Sequence, residues 1–144
     1  MMSVAKLHLL ILHFPIALIL SAALADVLWV WLRRPILREA GHWCIVLGAA
    51  TAIPTVVAGF LLLNGMGLSG EMAEIGETHE SLGVIAMSLA LAAAGVRLAA
   101  RNRLARPWGF VYAALIAASA VVVALAGHWG GMLAFGEDYL KQLP

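Results

Sequence analysis

The sequence LLILHFPIALILSAALADVLWVWL, residues 9–32, decides the fold. It is long enough to cross a membrane, because a helix of roughly 20 apolar residues spans the hydrocarbon layer. His13 and Asp26 are its only ionisable residues. The run is longer than the apolar core of a secretory signal peptide and leads into Arg33 and Arg34 rather than a small-residue cleavage site. We therefore expect it to remain in the protein as a membrane span.

The rest of the chain has the composition of a membrane protein. Of its 144 residues, 63% are hydrophobic and 12% are charged, whereas about half and a quarter are usual in soluble domains. Three further apolar segments follow at residues 43–63, 82–100 and 109–133. The sequence predicts an all-α fold, a single integral membrane four-helix bundle of up-down topology over residues 1–144. We expect lipid around it and no nucleic-acid partner.

The charged residues divide between the two ends of the predicted bundle. Seven of the nine basic residues are Arg33, Arg34, Arg38, Arg97, Arg101, Arg103 and Arg106, and six of the eight acids are Glu71, Glu74, Glu77, Glu80, Glu137 and Asp138. Basic residues concentrate on the cytoplasmic side of membrane proteins. We therefore expect a bacterial inner-membrane protein with both termini in the periplasm. Asp26 and Arg97, which lie within apolar segments, are expected to form a buried pair between the first and third helices.

Three histidines on three predicted helices lie at one depth. His13, His79 and His128 are 20, 22 and 21 residues from the cytoplasmic boundaries of their spans. At about 1.5 Å per residue, those depths differ by about 3 Å, near the outer edge of the hydrocarbon. A single such histidine is typical of an interfacial residue, but an ionisable residue in a span is also a functional-site candidate. His8 is expected about 7 Å further out, towards the headgroups.

A level set of imidazoles in a helix bundle is typical of a cofactor site. Two of them can supply the axial ligands of a b-type haem, and Gly83 and Gly127 would leave space beside the ring. Because the first and third helices are diagonal in an up-down bundle, His13 and His79 are the expected axial pair. His128 is then a further donor. The same three residues can instead bind copper or zinc, and the spacing does not separate the two chemistries.

No arrangement typical of a nucleophilic enzyme, a phosphate-binding loop or paired catalytic carboxylates is found in the sequence. This favours an electron-transfer or anchor subunit over an enzyme.

Three motifs resemble a known family. They are HFPIAL at residues 13–18, His79 with Gly83, and GHWGG at residues 127–131. Together they resemble the bacterial four-helix membrane family called domain of unknown function 2231, over essentially the whole chain. Its members are similar in having outer-side histidines, and some occur beside or fused to c-type cytochrome domains, which implies a b-haem or redox role. Glu80 departs from the basic or aromatic residue common there, which concerns the ligand environment rather than the fold.

The leading hypothesis is a haem b-binding subunit that moves electrons near the periplasmic face. It would act between a quinone pool and a c-type cytochrome, within a larger respiratory or photosynthetic redox complex. The acidic outer surface favours a basic cytochrome as partner. The alternatives are a copper- or zinc-binding membrane protein and a purely structural membrane anchor.

Overall fold

The computed structural model describes residues 4–103, 105 and 107–136, with side chains from residue 7. Within these ranges the chain is helical and has no strand: α1 Val4–Ile11, α2 His13–Leu32, α3 Pro35–Met66, α4 Glu71–Ala99 and α5 Trp108–Phe135. Four stretches are long and apolar enough to cross a membrane, the first formed by α1 and α2 over Leu7–Leu32. The all-helical prediction with four apolar helices is confirmed. Arg106, Glu137, Asp138 and both chain termini lie outside the described residues.

The first span is divided because of Pro15. Proline has no N–H to bond the carbonyl four residues earlier, and its ring crowds that carbonyl. The carbonyl belongs to Ile11, the last residue of α1, and Leu12 separates α1 from α2. The break lets α1 follow a direction of its own, and α1 packs against α3 more than against α2.

Two helices extend beyond the apolar spans that the sequence predicts. α3 begins at Pro35, ends at Met66 and is capped by Gly67, whose φ of 61° is in the left-handed region that glycine adopts without strain. Most of the stretch between the second and third apolar segments is therefore helical, since only residues 67–70 separate α3 from α4. Thr78 lies inside α4, where its hydroxyl donates to the Glu74 carbonyl at 2.9 Å. Hydropathy detects the part of a helix in lipid, not its polar ends.

Helices that follow one another in the chain also pack side by side. The most extensive contacts are between α4 and α5 and between α2 and α3, followed by α3 with α4, α1 with α3 and α2 with α5. The shared core consists mainly of small and medium side chains, among them Ala22, Ile45, Ala49, Ala90 and Ala93. Small residues let the helix backbones approach closely, which is the usual basis of helix packing in membranes. The large apolar side chains lie largely on the outside, where lipid would cover them.

The helices form two hairpins, α2 with α3 and α4 with α5. The pattern of buried residues in the first hairpin recurs in the second at a constant offset of 71 residues. Equivalent positions are buried in both, as in the pairs Pro15/Ala86, Ile19/Ala90, Ala22/Ala93, Gly41/Tyr112, Ile45/Ile116, Gly48/Ser119 and Ala52/Val123. Asp26 and Arg97, which bond to each other, are also 71 positions apart. The core is therefore built from two equivalent hairpins that face one another with the same helix surfaces.

Candidate functional site

His8, which the sequence places about 7 Å further out than His13, lies against α3. Its Nδ1 is 3.1 Å from the carbonyl oxygen of Thr55, and a Cβ added to Gly59 would lie 3.1 Å from the Cε1 of the ring. A side chain on a helix covers the turn that precedes it. Because Gly59 has no side chain, the carbonyl of Thr55, four residues earlier, is left accessible. The imidazole occupies that place and is half-buried.

His79 makes the same arrangement with α5. Its Nδ1 is 2.9 Å from the carbonyl oxygen of Ala126, and a Cβ added to Gly130 would lie 2.9 Å from the ring Cε1. His79 is also half-buried. Both histidine-to-carbonyl bonds join residues 47 positions apart, and each histidine lies 51 positions before its glycine.

The two imidazoles form a pair, which we call the histidine pair, His8 and His79. A weak electrostatic effect of His79 on His8 puts both rings at the same end of the bundle. A carbonyl can only accept, so each Nδ1 must carry the proton and donate it, which leaves the Nε2 lone pair free to bind a metal. A backbone carbonyl on the far nitrogen is the usual partner of a metal-binding histidine, because it fixes the ring and its tautomer.

The three histidines predicted from depth are not brought together. Within the part of the chain that the structure describes, no group of three or more His, Cys, Asp or Glu side chains could hold a metal ion. His13 is exposed and its Nδ1 bonds the Leu9 carbonyl of its own helical stretch at 2.9 Å. His128 is exposed next to Trp129, the two rings being 6.4 Å apart. Only His79 of the predicted set belongs to the histidine pair.

The predicted glycines lie in open space. A Cβ at Gly83 or Gly127 would meet nothing within 4 Å, and Gly127 is exposed. The glycines that lie against the imidazoles of His8 and His79 are instead Gly59 and Gly130.

The sequence contains an indication that His8 belongs with His79, which the comparison of depths in the membrane does not use. His8 and His13 are five positions apart, which is about 140° around a helix, so the two side chains face different sides. The offset of 71 residues relates His8 to His79 and Gly59 to Gly130. A search for internal repeats would have paired His8 with His79.

A matched pair of glycine substitutions tests how closely His79 is held. Gly130→Ala is expected to lower the free energy of unfolding by about 1–3 kcal/mol, because the new methyl group forces the ring off the Ala126 carbonyl. Gly127→Ala, three positions earlier in the same helix, is expected to raise it by about 0.5–1 kcal/mol, since the space there is open and alanine favours the helix over glycine. Denaturant unfolding of the detergent-solubilised protein measures both. Equal effects would show that the contact with His79 is not tight.

The opposite end of the bundle holds a buried ion pair, as the sequence predicts. Arg97 Nη1 lies 2.6 and 2.7 Å from the two Asp26 carboxylate oxygens, and the side chain of Arg97 is only 1% exposed. The Tyr112 hydroxyl donates to Asp26 at 2.6 Å. The prediction of a pair between the first and third helices is confirmed.

The remaining donors of Arg97 are also used. Its Nη2 donates to the Arg38 carbonyl at 2.7 Å and its Nε to the Asn102 side chain at 3.0 Å. Asn102 in turn donates to Glu39 at 2.9 Å. This network of Asp26, Arg97, Tyr112, Asn102 and Glu39 connects all four spans and the loop after α4. A Cβ at Gly41 would lie 2.6 Å from an Asp26 oxygen, so α3 needs glycine there.

Comparison of the chain with known protein families finds a match. The family described as predicted membrane protein (DUF2231) matches residues 5–139. That match covers most of the chain and confirms the resemblance found in the three motifs. No curated protein and no solved structure matches the chain.

Proposed function

The chain belongs to the DUF2231 family of predicted membrane proteins, and on that premise we propose that it is a multi-pass membrane subunit that binds haem b and transfers electrons near the periplasmic face. The observation that carries the proposal is the histidine pair. The ligands are His8 and His79 rather than the His13 and His79 that depth favours.

The donor set fits a haem iron with two axial imidazoles. Each ring of the histidine pair has a free Nε2 and an Nδ1 held by a carbonyl, which is how a protein presents histidine to a metal. The two rings come from positions 71 residues apart, so that each half of the chain would contribute one ligand. Such a haem supplies a one-electron couple, and the chain contributes the ligands, their orientation and the low-dielectric surroundings.

The orientation of the bundle in the membrane decides on which side of the membrane the haem would lie. The arginines at the end opposite the histidine pair favour the cytoplasm for that end. The histidine pair and both termini are then periplasmic, in an up-down bundle of the bacterial inner membrane. Contacts of Asp26, near the end of α2, with Tyr112, near the start of α5, support the up-down order.

An acidic surface beside the histidine pair supports a c-type cytochrome as redox partner. Glu71, Glu74 and Glu77 are exposed at the start of α4, less than three turns before His79. A positively charged cytochrome would be steered to such a surface. A quinol is the matching electron donor in the membrane, within a larger respiratory or photosynthetic complex.

A copper ion is the second candidate, favoured by the number of donors. Copper accepts imidazole ligands, and two such donors are enough for Cu(I). Zinc is a poorer match, because its sites use three or four protein ligands and the described residues offer no such group.

A reduced-minus-oxidised spectrum of the full-length protein, expressed with ample haem, tests the proposal. We expect the sharp visible bands of a low-spin b-type haem and about one haem per chain in a pyridine haemochrome assay. Stoichiometric copper without a haem band would support the second candidate and overturn the first. Neither haem nor copper would overturn both.

A further inference from the structure

A groove opens between α2 and α5 at the end of the bundle that holds the ion pair. Its volume is about 540 Å³. It exists because α2 and α5 pack less closely than helices joined by a short link and because small residues line it. Ala23, Gly109, Ala113 and Ala117 contribute no bulk, and Val27 and Ile116 complete an apolar wall.

The polar groups deepest in the groove already have partners. Asp26, Arg97 and Tyr112 line it, but they bond to one another as described above. They therefore offer no ready pair of free donors to a neutral polar ligand.

Two further guanidinium groups, those of Arg38 and Arg103, line the groove. The Nε of Arg38 is buried and has no hydrogen-bond partner among the described residues, and its Nη2 makes only a long ion pair with Glu39, at 3.8 Å. Arg103 is exposed at the same end. An unpaired buried donor is costly unless an acceptor reaches it, and an anion at this place would supply that acceptor.

An apolar groove with two cations at one end matches a molecule with a hydrocarbon chain and an anionic head. We propose that this groove binds an anionic phospholipid, with its phosphate against Arg38 and Arg103 and an acyl chain along the wall of Ala113 and Ala117. Arginine is suited to phosphate because its planar donors bind two oxygens at once. The inference does not depend on the histidine pair, which lies at the other end of the bundle.

Other occupants fit less well. A quinone head is neutral and would not compensate the charges of Arg38 and Arg103. A second copy of the chain, inserted in the same direction, would bring its own arginines to the same end of the membrane, where like charges repel.

Native mass spectrometry of the full-length protein tests the site directly. The protein is transferred from nanodiscs that contain phosphatidylglycerol and phosphatidylcholine in equal amounts, and the retained lipid is identified. We expect one phosphatidylglycerol in preference to phosphatidylcholine. Arg38→Gln and Arg103→Gln are each expected to weaken its retention about fivefold, the usual effect of one basic residue near an anionic membrane surface.

Two controls keep the proposal falsifiable. Arg33→Gln removes an exposed arginine outside the groove and is expected to change nothing. Ala117→Trp fills the apolar wall and is expected to expel the lipid without removing a charge. Equal retention of the two lipids, unchanged retention in both arginine variants, displacement by a short-chain quinone, or a dimer that protects the groove would each overturn the proposal.

Discussion

His8→Ala and His79→Ala are each expected to abolish the b-haem band in the reduced-minus-oxidised spectrum. Each substitution removes one of the two axial ligands, and alanine leaves a gap that water cannot fill with an equivalent donor. Haem content per folded chain is expected to fall from about one to near zero in both variants. The measurement is a pyridine haemochrome assay on the monodisperse peak from size-exclusion chromatography, so that loss of haem is distinguished from loss of fold.

Three histidine variants serve as matched controls. His13→Ala and His128→Ala alter exposed residues near the same end, and His42→Ala alters a histidine at the other end. All three are expected to retain the band. If His13→Ala lost the haem while His8→Ala kept it, the axial pair expected from depth would be right and the histidine pair would be wrong.

Arg97→Met is expected to lower the free energy of unfolding by about 3–5 kcal/mol, the usual cost of removing one partner from a buried ion pair. Methionine has a similar length, so the loss is mainly electrostatic. The Asp26 carboxylate would keep only the Tyr112 hydroxyl as a bonded partner. Asn102 and the Arg38 carbonyl would also lose their donor. Denaturant unfolding in detergent, followed by tryptophan fluorescence, measures the change.

The double variant Asp26→Leu/Arg97→Met distinguishes the effect of losing the whole ion pair from the effect of leaving one charge unpaired. It is expected to be more stable than Arg97→Met alone, because no uncompensated carboxylate remains buried. Arg101→Met, at an exposed residue of the same end, is expected to change the free energy of unfolding by no more than about 0.5 kcal/mol. A single variant as stable as the wild type would show that the carboxylate is neutralised in another way.

The ion pair also shows how far the sequence carries a prediction. A buried charge in a membrane span needs a partner, and Asp26 and Arg97 are the two charges inside apolar segments. Tyr112 and Asn102 were not predicted, because nothing in their local sequence shows that their side chains meet the pair. Tyr112 has the position in the second hairpin that Gly41 has in the first, and the direction of its side chain depends on how the hairpins pack.

The histidines show where prediction from the sequence ends. Depth along a helix depends on residue number alone, so the common level of His13, His79 and His128 follows from the sequence. Whether two side chains meet depends also on the rotation of each helix and on its bends. The break beside Pro15 and the packing of α1 against α3 bring His8 to Gly59, while His13 remains exposed.

By itself the sequence determined that the chain forms four apolar membrane-spanning helices, with arginines gathered at one end and a charged pair buried between the first and third. Those properties depend on the length of each apolar segment and on the free-energy cost of isolating a charge in an apolar medium. The apolar residues and the charges within them can both be read from the sequence. Only the tertiary structure decided which imidazoles share a site and where a groove remains. Those properties depend on the faces that the helices turn towards each other, which the packing of small residues in the two hairpins sets.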